Sequence, residues 1–188
     1  MTIRLLILIT AAILLNCSGR TEVKTAEEIN ADQAKVDTLR SLYGNHTLHY
    51  FSNSAEKDTF KISVLGKSIV GGQIKFEIMD AKGQWVLNET FQAYNLIGYG
   101  LQSDATDEQK VAYIKNRIDA FFDEDNFHKP AIATDEPFDK SYSEKAIWED
   151  IKSDHSSIGF HYLIGEEDGR NIAYSKTLKK TVIYFGCC

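Results

Sequence analysis

The residues that could do chemistry in this sequence gather in an acidic stretch that begins at residue 123. Residues 123–139 carry six carboxylates, Asp139 among them, and five are candidate ligands: Asp123, Glu124, Asp125, Asp135 and Glu136. Carboxylate oxygens are ligands that Ca²⁺ prefers, but the spacing is not that of an EF-hand, because Phe127 stands where an oxygen ligand is needed. The stretch is therefore either a solvated acidic segment or a surface that binds a cation or a positively charged partner.

Two adjacent cysteines, Cys187 and Cys188, are the second candidate for chemistry. A disulfide between neighbours would be strained and easily reduced, which would make them a redox pair. A structural or intermolecular disulfide, or free thiols with affinity for a soft metal ion such as Cu(I), are the other interpretations.

Sequence patterns that identify common catalytic sites are not found. There is no P-loop, Gly-rich dinucleotide turn, nucleophile elbow, kinase signature or zinc-ligand spacing. The five histidines are scattered along the chain and are interpreted as surface or structural residues: His46, His49, His128, His155 and His161. The sequence therefore predicts no catalytic residue, no metal ligand and no cofactor, and it favours a protein that is not an enzyme.

The first seventeen residues predict where the protein resides. Arg4 precedes an uncharged apolar run, residues 5–15, which has the layout of a secretory signal and is too short to span a bilayer. The following Leu14-Leu15-Asn16-Cys17 resembles the lipobox of bacterial lipoproteins, although Asn16 replaces the usual small residue. The alternative is an ordinary signal peptide with Cys17 as a free thiol.

The resemblance implies a signal peptide at residues 1–16, cleavage before Cys17 and lipidation of that cysteine by fatty acids such as palmitate. Residues 17–25 would then be a lipidated tether, and residues 26–188 a single domain. Several acyl chains would make attachment to the membrane effectively permanent. The residue after the cysteine is Ser18, which by the same resemblance favours the periplasmic face of the outer membrane in the cell envelope.

Composition excludes some classes of protein. The 188 residues include 21 basic and 27 acidic side chains, a net charge of -6, which argues against nucleic acid as a partner. The 10 Phe, 9 Tyr and 2 Trp argue against disorder. These aromatic residues could form a recognition face, but most, including Trp85, fall on predicted core stripes.

Hydrophobic periodicity predicts the elements. A first helix should begin at Thr25 and run to Tyr43, with Gly44 ending it. Alternating patterns around residues 60–64, 74–78 and 85–91 predict an antiparallel meander, preceded by a strand that starts at His46. Residues 92–105 are predicted to form a packed loop.

The second half of the chain is predicted to contain two helices followed by three strands. Capping-box spacing at Thr106 predicts a second helix, and a third, shorter one should start near Ser143. Three strands should follow, around residues 158–164, 172–174 and 182–185. The two meanders could belong to one sheet or to two half-domains, and the length of the chain favours one sheet. The predicted fold class is α+β, with an antiparallel meander sheet and about three helices mainly on one face.

The sequence thus predicts a lipid-anchored envelope lipoprotein with a binding or structural role. Its partners would be the membrane, through lipid on Cys17, and a protein. One alternative is a toxin-neutralising immunity or inhibitor protein that uses the acidic loop 123–139. Another is an envelope hydrolase or metal-dependent enzyme.

Overall fold

The computed structural model describes residues 40–165 and 167–187. The predicted signal peptide, the lipidation site Cys17 and the tether lie outside the described residues. So do Cys188 and most of the helix predicted from Thr25. No helix in the described part of the chain is long and apolar enough to cross a membrane.

The strands form two four-stranded antiparallel sheets rather than the single sheet that was predicted. Sheet 1 contains β1 (Ser41–His49), β2 (Asp58–Leu65), β3 (Gln73–Met79) and β4 (Trp85–Gln92). Sheet 2 contains β5 (Phe127–His128), β6 (Gly159–Leu163), β7 (Gly169–Ser175) and β8 (Lys180–Cys187). Each sheet keeps its strands in sequence order, so the antiparallel meander is confirmed, with β4 and β8 as edge strands.

The described residues form two α-helices, α1 (Asp107–Asp119) and α2 (Lys145–Ser153), rather than about three. Both lie where the sequence predicts a helix. Short 3₁₀ turns follow β4 at Ala93–Leu96 and Gly98–Gly100 and follow α1 at Glu124–Asn126. The protein is therefore an α+β fold dominated by sheet.

The prediction that the first helix ends at Tyr43 and Gly44 is wrong, because both residues belong to β1. Tyr43 pairs with Val64 and Gly44 with Ser63 along β2. A Cβ atom at Gly44 would lie 2.6 Å from the backbone oxygen of Ile62, so the glycine allows this close approach of strands instead of ending a helix.

The two sheets pack face to face through an aromatic cluster centred on Phe160, which is fully buried. Its ring centroid lies between 4.7 and 5.9 Å from those of six neighbours: Phe60, Phe76, Phe121, Phe122, Phe127 and Tyr162. These rings come from both sheets and from the segment that follows α1. The cluster therefore joins the two halves of the chain in one core.

The two helices belong to different cores, so the prediction that they share one face is wrong. Ile114 and Ile118 of α1 pack into the aromatic core beside β1. Trp148 and Ile151 of α2 pack on the opposite face of sheet 2, against Val182 and other residues. Sheet 2 thus lies between sheet 1 and α2.

Two further predictions about packing have opposite outcomes. The segment after β4 is a packed loop, as predicted, with Ala93, Leu96 and Ile97 buried. Trp85, in contrast, is 52% exposed rather than in the core. A register shift between Ile78 and Met79 places Trp85 opposite Met79, on the face away from the aromatic core.

Candidate functional site

A groove of about 430 Å³ opens where β4 lies against β8. Its size is within the range usual for ligand sites. Its floor is formed by side chains of β6 and β7, and one residue of α2 reaches it. The lining residues are Leu87, Asn88, Glu89, Ile147, Tyr162, Arg170, Ile172, Lys180, Thr181, Val182 and Ile183. Most of these side chains are apolar, and the charged side chains are those of Glu89, Arg170 and Lys180.

A network of charged side chains on the groove wall connects the two sheets. Glu89 of β4 accepts a 2.6 Å hydrogen bond from the Tyr162 hydroxyl and a second from the Arg170 guanidinium. Arg170 Nε also donates to Asp168 at 3.2 Å. Two carboxylates therefore share one guanidinium, and Lys180 adds a second positive charge to the groove lining.

Two groups in this network, Tyr162 and Arg170, have shifted pKa values. Burial, together with the negative charge of Glu89, raises the pKa of the Tyr162 hydroxyl far above its ordinary value. Partial burial acts to lower the pKa of Arg170, but attraction to Glu89 and Asp168 outweighs it and the net shift is upward. Tyr162 therefore stays neutral and Arg170 charged near neutral pH. The network suits binding better than proton transfer.

One hydrogen-bonding group beside the groove is unused. The Thr181 hydroxyl oxygen is buried and finds no hydrogen-bond partner among residues 40–165 and 167–187. A buried hydroxyl without a partner is costly, and Thr181 lies in the strand that forms one wall of the groove.

The predicted acidic residues are exposed, and different elements hold the two halves of their segment. Asp123, Glu124 and Asp125 lie at the 3₁₀ turn after α1. There, Glu124 Oε2 is 3.7 Å from Nε2 of His49, which stacks on Phe127.

Asp135 and Glu136 lie further along, beyond β5 and the buried Ala131 and Ile132. The carbonyl of Glu136 accepts a hydrogen bond from Lys152 of α2. The stretch is thus not one continuous acidic loop, because strand β5 and buried residues separate its two acidic groups.

The remaining candidates do not form a cluster. The Cys187 thiol is half-buried and lies 3.6 Å from the carbonyl of Glu167. Its pairing with Cys188 stays a prediction, because Cys188 lies outside the described residues. His161 shares a 2.6 Å hydrogen bond with Asn171. No three His, Cys, Asp or Glu side chains are grouped as metal ligands in the portion that the structure describes.

The groove and its network were not predicted from the sequence, although one signal was present. Glu89 alternates with Leu87 and Phe91, so it occupies the apolar face of β4. It pairs with the buried Phe76 in the sheet register. A carboxylate at an inward position indicates a buried cationic or hydroxyl partner, which here comes from residues 73 and 81 positions away.

Comparison with known proteins found no matching family model, no matching curated protein and no matching solved structure.

Proposed function

We propose that this chain is a lipid-anchored protein of the bacterial envelope that binds a partner in the groove between β4 and β8. The observation that carries the proposal is the groove itself. It combines apolar walls with a charged network whose members are held in place by hydrogen bonds. Preorganised polar groups in an apolar groove favour recognition, because little ordering is needed on binding.

The lipobox-like sequence supports the anchoring part of the proposal. A lipid on Cys17 would leave residues 18–39 between the membrane and the first described residue, Arg40. The folded part would then be held near the membrane surface without entering the bilayer. This arrangement suits a receptor or scaffold in the envelope.

Labelling with radioactive palmitate in cells tests the anchor. The wild-type chain should incorporate label, and Cys17→Ala should abolish both labelling and membrane association. Cys187→Ala is the matched control and should leave both unchanged. Labelling that persists in Cys17→Ala would contradict the anchoring proposal.

Site-specific photocrosslinking in cells tests the groove. A photoreactive amino acid at Asn88 would lie in the groove, whereas the same residue at Gln92 would lie further along β4 and outside the groove lining. Both native side chains are exposed, so neither replacement should disturb the core. We expect a discrete crosslinked product from Asn88 and not from Gln92. Equal crosslinking from the two positions, or no crosslinking from either, would contradict the proposal.

The second candidate function, a toxin-neutralising immunity or inhibitor protein, is supported by the full exposure of the acidic groups. Asp123, Glu124 and Asp125 all face solvent and could meet a basic surface. The combined variant with lysine at these three positions should lose protection against a toxin under that function. A variant with lysine at Glu108 and Glu149, both exposed on helices, is the control. If both variants protect equally, the acidic segment is not the contact.

A further inference from the structure

We propose that the ligand of the groove is an extended polypeptide segment that adds as a strand to the open edge of β8 at residues 180–183. This inference rests on the proposed function, because it names the class of partner for the same groove. The recognition would use backbone hydrogen bonds for affinity and neighbouring side chains for selectivity.

The lining of the groove shows that it runs along a strand edge. Successive side chains of a strand point to opposite faces of the sheet. The groove nevertheless contacts four consecutive residues of β8, from Lys180 to Ile183. It also touches both cores, since Ile172 belongs to the core that contains the aromatic cluster and Val182 packs with α2. A cavity that meets both faces of one strand must pass its edge.

Part of this edge is already occupied by the chain itself. Gly186 N donates a 2.9 Å hydrogen bond to the carbonyl of Tyr142, and Ser143 Oγ donates to the carbonyl of Tyr184 at 2.8 Å. Main-chain groups on this side of β8 are therefore accessible to a neighbouring segment.

The other part of the edge is open. Within the described ranges, no backbone hydrogen bond from outside the sheet reaches residues 180–183. β8 is the last strand of sheet 2, and an unpaired edge offers N–H and C=O groups to an incoming strand.

The side chains and charges of the groove define the partner further. Leu87 and Ile183 offer apolar contacts, and Ile183 is 46% exposed in the structure. The charged side chains of the lining are Glu89, which is paired with Arg170, and the exposed Lys180. We therefore infer a segment with alternating apolar residues and an acidic residue near Lys180.

Peptide selection on the full chain in detergent micelles tests the proposal. The probe is a phage-displayed library of random peptides of about seven residues, roughly the length of a short strand. Selected sequences should show apolar alternation and an Asp or Glu at one end. Binding of a synthesised peptide is then measured by fluorescence anisotropy. N-methylation of one alternate set of its amides should weaken binding about tenfold, whereas N-methylation of the other set should change it little.

Two arginine substitutions in the protein provide a matched pair. Ile183→Arg places a charge in the groove and should weaken peptide binding about tenfold or more. Leu178→Arg changes an equally exposed residue of the same hairpin, 50% exposed, that does not line the groove, so binding should be unchanged. Both sites are exposed, and circular dichroism checks that both variants fold.

Three results would overturn the proposal. The first is that no peptide is enriched on the wild-type protein relative to the Ile183→Arg variant, and the second is that N-methylation of either set of amides weakens binding equally. The third is a dimer in sedimentation that Ile183→Arg dissociates. The last result would assign the edge to a second copy of this chain. If a photoreactive residue at Asn88 still captures a ligand while peptides fail, only the strand-addition proposal is wrong. If the crosslink also fails, the proposed groove function is wrong as well.

Discussion

The Tyr162 hydroxyl of β6 donates a 2.6 Å hydrogen bond to Glu89 of β4, and so ties the second sheet to the first across 73 positions of sequence. Tyr162 is only 4% exposed, and Arg170 holds the same carboxylate from β7. This link stands at the border between the aromatic core and the groove. Its removal should therefore affect both stability and the shape of the groove.

Replacing Tyr162 with Phe should lower the free energy of unfolding by about 2 kcal/mol, because hydrogen bonds to charged groups contribute more than neutral ones. Tyr184→Phe is the matched control. Tyr184 is also buried, but its hydroxyl donates to a neutral carbonyl, that of Ala131, at 2.7 Å. Tyr184→Phe should therefore lower the free energy of unfolding by only about 1 kcal/mol. Urea denaturation measures both, and a larger loss for Tyr184→Phe would contradict the ranking.

Phe160→Ala should cost about 4 kcal/mol of unfolding free energy, since it removes a fully buried ring at the centre of the aromatic cluster and leaves a cavity. Phe185→Ala is the comparison, because that ring is half-buried and packs on the exposed Tyr142. Its loss should be far smaller, about 1 kcal/mol. Equal losses by chemical denaturation would show that Phe160 does not organise the core.

The capping box of α1 should respond to substitution of Thr106. Its hydroxyl accepts from Gln109 N, and the Gln109 side chain accepts from Thr106 N at 2.7 Å. Thr106→Ala should therefore cost about 1 kcal/mol in unfolding free energy. Thr106→Ser keeps the hydroxyl and should retain most of the stability. If serine and alanine behave alike in urea denaturation, the cap contributes nothing measurable.

The contribution of Asp58 to the free energy of unfolding should fall as the pH rises. Burial raises the pKa of its fully buried carboxyl, against the lowering effect of hydrogen bonds from Ser52. The folded protein thus holds this proton more tightly than the unfolded chain does. The resulting stabilisation is present at low pH and is lost as the pH rises from about 3.9, the ordinary Asp value, through the folded pKa. The difference in unfolding free energy between wild type and Asp58→Asn should shrink across that window.

Asp154→Asn is the control with the opposite sign. Partial burial acts to raise the pKa of Asp154, but hydrogen bonds from Lys176 and Ser156 outweigh it and lower the pKa below the ordinary value. Its stabilisation is present at neutral pH and is lost as the pH falls through the folded pKa. The difference between wild type and Asp154→Asn should therefore grow with pH. If denaturation at several pH values gave parallel trends for Asp58 and Asp154, one of the two assignments would be wrong.

Elements set by local sequence were predictable, and those set by distant partners were not. The helix that begins after Thr106, strands β2 to β4 and strands β6 to β8 follow from caps and alternation. Strand β5 was not predicted, because its two residues carry no alternating pattern. Tyr43 and Gly44 looked like the end of a helix, but they pair with β2 instead, and tertiary pairing overrides weak local preference. Trp85 fitted an alternating stripe, and only the register shift in the sheet places it outside the core.

The groove depends on contacts that have no local pattern. Glu89, Tyr162 and Arg170 come from strands of different sheets, so their meeting follows from how the sheets pack. The inward position of Glu89 on β4 could have indicated that a partner was needed, but not which residue supplies it. The acidic stretch and the cysteine pair stood out by composition, yet among the described residues neither the acidic stretch nor Cys187 lines the groove.

Every hydrogen-bonded strand pair in the two sheets joins strands that are neighbours along the chain, and neither sheet borrows a strand from the other. A cut in the exposed segment 102–104 would therefore separate no two paired strands. The halves would be held together by side chains alone, chiefly the aromatic cluster and the bonds to Glu89. The chain is in this sense a natural candidate for split-protein complementation, in which two fragments expressed separately reassemble through a shared core.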